Sequence, residues 1–338
     1  MSEATKSIKN KIDNYEQTII AIIGFMNFYR FDSDKVPAKF FQGRKLSPSK
    51  KSDTEFLTPD IGILQSDNNG VLGEVKHCFP KEQEYWIKAF EQLMKYDDEL
   101  VGWPNSDGKV SSHDLVMLTH QSRARAVGNY YRDKISIPEI SFSNPFCLVE
   151  YNRTSGNQEF FFFRIEEGFL TDIKVNAKLQ DGVSVPMSVF LQNYAAIKFY
   201  DDKPELPYLM FLIWVYVVLV KASENERFKN LTKSQKLDIE FTIDEITDAL
   251  RKGYSFQLVN SDMTERQPLM PKTSWVKEAC IKFVEWGEAK WIDDQKTKIT
   301  FHCNKKYSDA LNQFIDRYAD HSGNGQGILF TESNVEYD

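Results

Sequence analysis

Thr58-Pro59-Asp60-Ile61-Gly62-Ile63-Leu64-Gln65, then Ser66-Asp67-Asn68-Asn69-Gly70, then Val71-Leu72-Gly73-Glu74-Val75-Lys76 is the stretch on which the fold turns. Two apolar runs flank a cluster of Asp, Asn and Gly, residues that tolerate the positive φ a tight loop demands, so the stretch reads as a β-hairpin. A five-residue loop with Gln65 opposite Val71 pairs Leu64 with Leu72, Gly62 with Glu74 and Asp60 with Lys76. Strand side chains alternate, so all six share one face, and Ile61, Ile63 and Val75 point to the other. This register collects two carboxylates and one ammonium at one end of the hairpin, and Gly62 opposite Glu74 leaves room for an ion or a substrate. A slip of one residue would undo the grouping.

Asp60, Glu74 and the Val75 carbonyl offer oxygen donors to a hard divalent cation that keeps several waters, which is the Mg²⁺ pattern. A lysine beside that ion, Lys76, can orient an attacking water or neutralise charge developing on a phosphodiester. The chemistry expected of this set is phosphodiester hydrolysis.

Around the hairpin, apolar residues at helical spacing (Ile8, Ile12, Ile19, Ile20, Ile23, Phe25) predict a first helix from Ser7 to Phe28 that carries Glu16. A helix from about Lys81 to Tyr96 follows the hairpin. Then come a strand at Asp114–Thr119, a helix at Gln121–Lys134, and strands near Phe146–Tyr151 and Gln158–Ile165. That alternation is typical of a mixed α/β domain.

The motifs resemble those of the PD-(D/E)xK nuclease superfamily. Pro59-Asp60 resembles its first motif and Glu74-Val75-Lys76 its second, at a normal hairpin distance. The resemblance implies a restriction-endonuclease-like mixed sheet flanked by helices, with Asp60 and Glu74 as metal ligands and Lys76 as the catalytic lysine. Gln92 and Tyr96, in Gln92-Leu93-Met94-Lys95-Tyr96, look like the Q-x-x-x-Y element of many members, and Glu16 like the acidic residue of their first helix. A second Glu-x-Lys, Glu288-Ala289-Lys290, lacks an upstream Pro-Asp and reads as a solvated turn.

The C-terminal part has a different pattern. Thr242–Lys252 reads as a helix with Ile243, Ile246, Ala249 and Leu250 inward, and Thr242 with Glu245 forms a capping box. Ser274–Glu285 reads as a second helix, followed by strands at Trp291-Ile292 and Ile299-Thr300-Phe301 about an Asp293-Asp294 turn. Together they resemble a mainly helical winged helix-turn-helix domain. In that reading Lys272, Lys277 and Lys282 lie on or near the recognition helix and Lys296 and Lys298 on the wing. The other use of such a module is to bind a partner protein or a second copy of the chain.

The expected organisation is a nuclease-like domain over 1–200, an apolar core helix and connector over 201–235, a winged-helix-like domain over 236–320 and a flexible tail over 321–338. The 338 residues are 41% hydrophobic and 27% charged, with a formal net charge of −7, so attraction to nucleic acid must be local. Arg44 and Lys45, in the loop before the hairpin, could meet backbone phosphates. Arg123, Arg125, Arg132 and Lys134 share one helix with Tyr130 and Tyr131. Four dispersed cysteines without C-x-x-C fit a reducing cytoplasm, and the fifteen-residue apolar run Leu206–Val220 is short for a membrane span. No export signal is visible in the opening residues. Gly102 to Val110 departs from a phosphate loop, the five histidines show no metal-ligand spacing, and no G-x-S-x-G occurs.

The expectation is therefore a cytoplasmic, Mg²⁺-dependent nuclease, with Mn²⁺ as the alternative ion and DNA favoured over RNA. Restriction or antiviral defence is its setting by fold-level analogy. The rival is a non-catalytic DNA-binding regulator, or a scaffold subunit, that keeps the nuclease-like fold.

Overall fold

A computed structural model of the chain describes residues 3–33, 35, 39–41, 45–49, 56–77, 79–136, 139–154, 160–186, 204, 206–231, 235–252, 271–303, 314 and 318. Arg44, Lys50, Lys51, Cys78 and the tail 321–338 lie outside the described residues. Chain contacts divide the described residues into two compact units, one of 17–186 and one of 3–16, 204–252 and 271–318.

The larger unit is built on a seven-stranded mixed sheet. Its strands are β1 (Lys39–Phe41), β3 (Ile61–Leu64), β4 (Asn69–Lys76), β6 (Ser112–His120), β7 (Phe146–Thr154), β8 (Phe160–Gly168) and β9 (Val183–Pro186), side by side in that order. β4, β6 and β7 run parallel and the outer pairs antiparallel. Parallel neighbours need crossovers, and α2 (Trp86–Met94) and α3 (Gln121–Ser136) supply them. A two-stranded piece, β2 (Ser47–Pro48) with β5 (Leu100–Val101), stands apart from the main sheet.

Alternation assigns the two faces of the sheet. Leu72 of β4, Leu115 and Met117 of β6 and Phe146 and Leu148 of β7 join one core with Phe90 and Leu93 of α2 and Val127, Tyr130 and Tyr131 of α3. In α2 the buried Trp86, Phe90 and Leu93 recur at helical spacing and form one apolar stripe. The opposite face meets the later turns of α1 (Glu3–Asp32), where Phe25 packs edge-on against Phe163 of β8 at 5.9 Å between centroids.

The hairpin keeps the expected faces in a different register. Gly62 pairs with Leu72 and Leu64 with Gly70, two residues from the expected alignment. β4 begins at Asn69, and only Ser66, Asp67 and Asn68 form the loop, closed by the Gln65 N–H on the Asn69 carbonyl (2.8 Å) and the Asn68 N–H on the Gln65 carbonyl (3.1 Å). Asn68, at φ 63°, supplies the left-handed residue that a three-residue hairpin loop needs. Because the shift is an even number of residues, no side chain changes face. Gly62 does not leave open space either. A Cβ there would lie 2.3 Å from the Phe41 ring, so the glycine admits Phe41 of β1, not an ion.

In the smaller unit, β10 (Leu237–Thr242), β12 (Lys298–Cys303) and β11 (Ala289–Trp291) form an antiparallel sheet in the order β10-β12-β11. The apolar helix α5 (Leu206–Glu224), α6 (Ile243–Lys252) and α7 (Thr273–Glu285) belong to the same unit; α4 (Ile173–Asp181) belongs to the larger one. The capping box forms: the Thr242 N–H reaches Glu245 Oε2 at 2.6 Å and the Glu245 N–H reaches Thr242 Oγ1 at 3.0 Å. β10 is a strand beyond those expected from the sequence, with Leu237, Ile239 and Phe241 buried in alternation with exposed Asp238 and Glu240. α5 is 19 residues long, more than its fifteen-residue apolar run, and by length and composition it could cross a membrane. Just over half of it is buried within the protein, and Trp214 stacks on Phe283 of α7.

Candidate active site

Asp60 lies just before β3, and the hairpin register brings it level with Glu74. Its Oδ2 accepts the Val75 N–H at 2.9 Å, which fixes the carboxylate against the edge of β4. Glu74 sits in a cross-strand row with Met117 and Leu148, both fully buried, and is itself only 2% exposed. Burying a carboxylate in so apolar a row requires partners, and both of its oxygens have one. Oε1 accepts the Tyr96 hydroxyl at 2.5 Å and Oε2 accepts Lys76 Nζ at 3.2 Å. Lys76 Nζ also donates to Gln92 Oε1 at 2.7 Å.

The helix after the hairpin therefore delivers both of its expected residues. Gln92 stands on α2, flanking its apolar stripe, and Tyr96 stands in the turn just past its end, held by its own N–H on the Leu93 carbonyl at 2.9 Å. From β6, His113 Nε2 donates to the Tyr96 carbonyl at 2.7 Å and pins that turn. Asp60, Glu74, Lys76, Gln92 and Tyr96 thus form one hydrogen-bonded set.

Electrostatics follow from burial. Desolvation raises the Glu74 carboxyl above the usual carboxylate range, against the Lys76 charge and hydrogen bonds from Tyr96, Lys76 and Asp60. Burial, then the Glu74 charge, raises the Tyr96 phenol far above its ordinary value, so it stays a hydrogen-bond donor. Two carboxyl groups in mutual contact, Glu74 buried and Asp60 partly exposed, with the Val75 carbonyl on the adjoining backbone, make a donor set that a divalent cation suits: its charge replaces the proton that desolvation of Glu74 favours. Among the described residues no group of three or more His, Cys, Asp or Glu side chains gathers, so an ion here would complete its shell with water.

The other expected residues have settings of their own. Glu16 is on the early part of α1 that groups with the smaller unit, where its charge acts on the buried Tyr208 hydroxyl. Lys45 is exposed, with Nζ 5.0 Å from the centre of the Phe56 ring. Tyr130 and Tyr131 do not interleave with arginines on a surface. They are buried against Phe90 at 6.2 and 5.6 Å between centroids, while Arg132 pairs with Glu167 at 2.5 Å. In the smaller unit Lys272 lies over Trp275 at 5.2 Å, Lys277 donates to the Gln295 carbonyl at 3.1 Å, and Lys282 is paired with Glu285 at 2.6 Å. Lys296 and Lys298 are exposed on the β11–β12 turn and the start of β12. Lys290 of the second Glu-x-Lys is exposed on β11, on a strand where a turn was expected.

Sequence reasoning missed the row beside Lys76. Lys76, Thr119, Glu150 and Arg164 lie level across four adjacent strands, and Arg164 pairs with Glu150 at 2.6 Å. Their separation in the chain hides this; only the parallel pairing of β4, β6 and β7 reveals it. Comparison with protein-family models, with curated proteins and with solved structures returned no significant match to this chain.

Proposed function

We propose that the protein is a metal-dependent nuclease that hydrolyses phosphodiester bonds, with DNA as the favoured substrate. The observation that carries this reading is the hydrogen-bonded set itself: two carboxyls and one lysine at the end of one hairpin, with a glutamine from the next helix and a tyrosine from the turn just past it. Asp60, Glu74 and the Val75 carbonyl would hold Mg²⁺ or Mn²⁺, which supplies Lewis acidity to a phosphodiester oxygen. Lys76, held by Glu74 and Gln92, is placed to orient the attacking water or to offset charge developing on the phosphate. Tyr96 and Gln92 fix Glu74 and Lys76 from behind, and His113 fixes Tyr96 in turn.

The reading extends to a restriction-endonuclease-like core for the larger unit, supported by its mixed sheet with helices on both faces. It also extends to a winged helix for the smaller one, supported by the succession β10-α6-α7-β11-β12 and the sheet order β10-β12-β11. In this reading the smaller unit recruits nucleic acid through Lys272, Lys277, Lys296 and Lys298. Incubating the purified chain with labelled DNA and labelled RNA, each with Mg²⁺ and with excess chelator, tests the proposal. Cleavage that the chelator abolishes is expected; intact substrates under both conditions would refute it.

A further inference from the structure

β4 and β6 run parallel with Lys76 level with Thr119, so His77, just past the end of β4, and His120, the last residue of β6, stand side by side. They occupy the face opposite Glu74 and Lys76, at the carboxyl ends of the parallel strands. Their ring centroids are 5.1 Å apart. Each ring is anchored through Nδ1: His77 to the Tyr151 hydroxyl at 2.6 Å, and His120 to Ser122 Oγ at 2.9 Å, and the Ser122 N–H also donates to His120 Nδ1 at 3.4 Å. The Tyr151 and Ser122 hydroxyls can accept as well as donate, so each imidazole can carry its proton on Nδ1 and present a bare Nε2 to an ion, His120 giving up the long Ser122 N–H bond as it does so. A hydrogen-bond partner behind the ring is the usual support of a metal-binding histidine.

The spacing can be compared with what one ion requires. With metal–nitrogen bonds of about 2.1 Å, a ring radius of roughly 1.1 Å and a tetrahedral angle, two imidazoles on one ion have centroids about 5.2 Å apart. The observed separation matches. Both histidines are half-buried, so water can complete the ion's shell. Imidazole suits borderline transition metals more than Mg²⁺.

The geometry points to a second metal site, a two-histidine chelate of His77 and His120 that takes a Zn²⁺- or Ni²⁺-class ion and leaves positions open to water or a substrate oxygen. It does not rest on the nuclease reading, because its donors and its choice of ion differ from those of Asp60 and Glu74. Tyr151 and Ser122 hold the two rings in place.

Calorimetric titration of the full chain with Ni²⁺, in excess Mg²⁺ to occupy the carboxylates, tests it. One ion should bind per chain. His77→Ala and His120→Ala should each weaken that binding by roughly 100-fold or more, and Tyr151→Phe by roughly 10-fold, in the range of losses for groups behind a ligand. Asp60→Asn should leave it unchanged. Should a histidine variant fold poorly, the electron paramagnetic resonance spectrum of the Cu²⁺-loaded parent chain decides alone: hyperfine coupling to two imidazole nitrogens is expected. Coupling to one or none, no Ni²⁺ uptake in excess Mg²⁺, binding that survives in the double histidine variant, or binding that falls with Asp60→Asn would each overturn the site.

Discussion

Glu74 carries a carboxyl group into a row of the sheet whose neighbours, Met117 and Leu148, are fully buried, and only Tyr96, Lys76 and the nearby Asp60 make that tolerable. Groups bound this tightly act as one unit, so their losses do not add. Asp60→Ala, Glu74→Ala and Lys76→Ala should each abolish cleavage, and a double variant should be no worse than either single; gel assays at equal protein concentration, with circular dichroism to confirm folding, check this. Gln92 acts through Lys76 and Tyr96 and holds neither the ion nor the phosphate in this reading, so Gln92→Ala should cost less, roughly 10- to 100-fold in turnover at saturating metal. A turnover equal to that of the parent would show that Lys76 needs no support from α2. The composition of this set was legible before the fold, because Asp60, Glu74, Lys76, Gln92 and Tyr96 carry their spacing along the chain. The burial of Glu74 was not, since Met117 and Leu148 join the row only by parallel pairing.

The elements that aim these side chains can be tested separately. The hairpin loop depends on Asn68 at positive φ, a conformation an ordinary side chain adopts at a cost of about 1–2 kcal/mol, and on its Oδ1 accepting Asn105 Nδ2 at 2.7 Å. Asn68→Ala should therefore lower stability by about 1–2 kcal/mol in urea denaturation with little effect on the metal-binding residues. Burial lowers the His113 pKa, against its bond to the Tyr96 carbonyl and the Asp97 charge. Below the ordinary histidine range the unfolded chain then binds more protons at this residue than the folded one, so stability falls as pH drops from about 6.5 toward the depressed folded value. His77 and His120 are shifted the same way, chiefly by burial. The His113 share is thus the difference between the parent and His113→Gln in denaturation midpoints measured from about pH 7.5 to 5, and the variant should show the shallower decline. The reading of the hairpin from sequence missed by two residues and still placed every face correctly, because period-two alternation survives an even shift. It missed the loop because Asn69 and Gly70, which look like turn residues, open β4. β10 was legible in the alternation of Leu237, Ile239 and Phe241, whereas the His77–His120 pair was not, since no local spacing encodes it.

At the scale of the whole molecule, a chain of net charge −7 can hold nucleic acid only through local cations that release counterions. Lys282 is paired with the half-exposed Glu285, and Lys272, Lys277, Lys296 and Lys298 are the further lysines that would supply such cations from the smaller unit. Truncation near residue 235 is a poor test, because α5 would lose Phe283, on which Trp214 stacks. Replacing those four lysines with glutamine keeps the packing. In the slope of log K against log salt, each phosphate that is no longer neutralised should lower the magnitude by about 0.9. An unchanged slope with an altered mass in solution would assign the unit to protein association instead. The central claim, that the hairpin hydrolyses phosphodiesters, is tested most directly by the rate at which labelled DNA is cut by the parent and by Lys76→Ala at saturating Mg²⁺. The account predicts cleavage by the parent and none above background by the variant, both folded; equal rates in the two would contradict it.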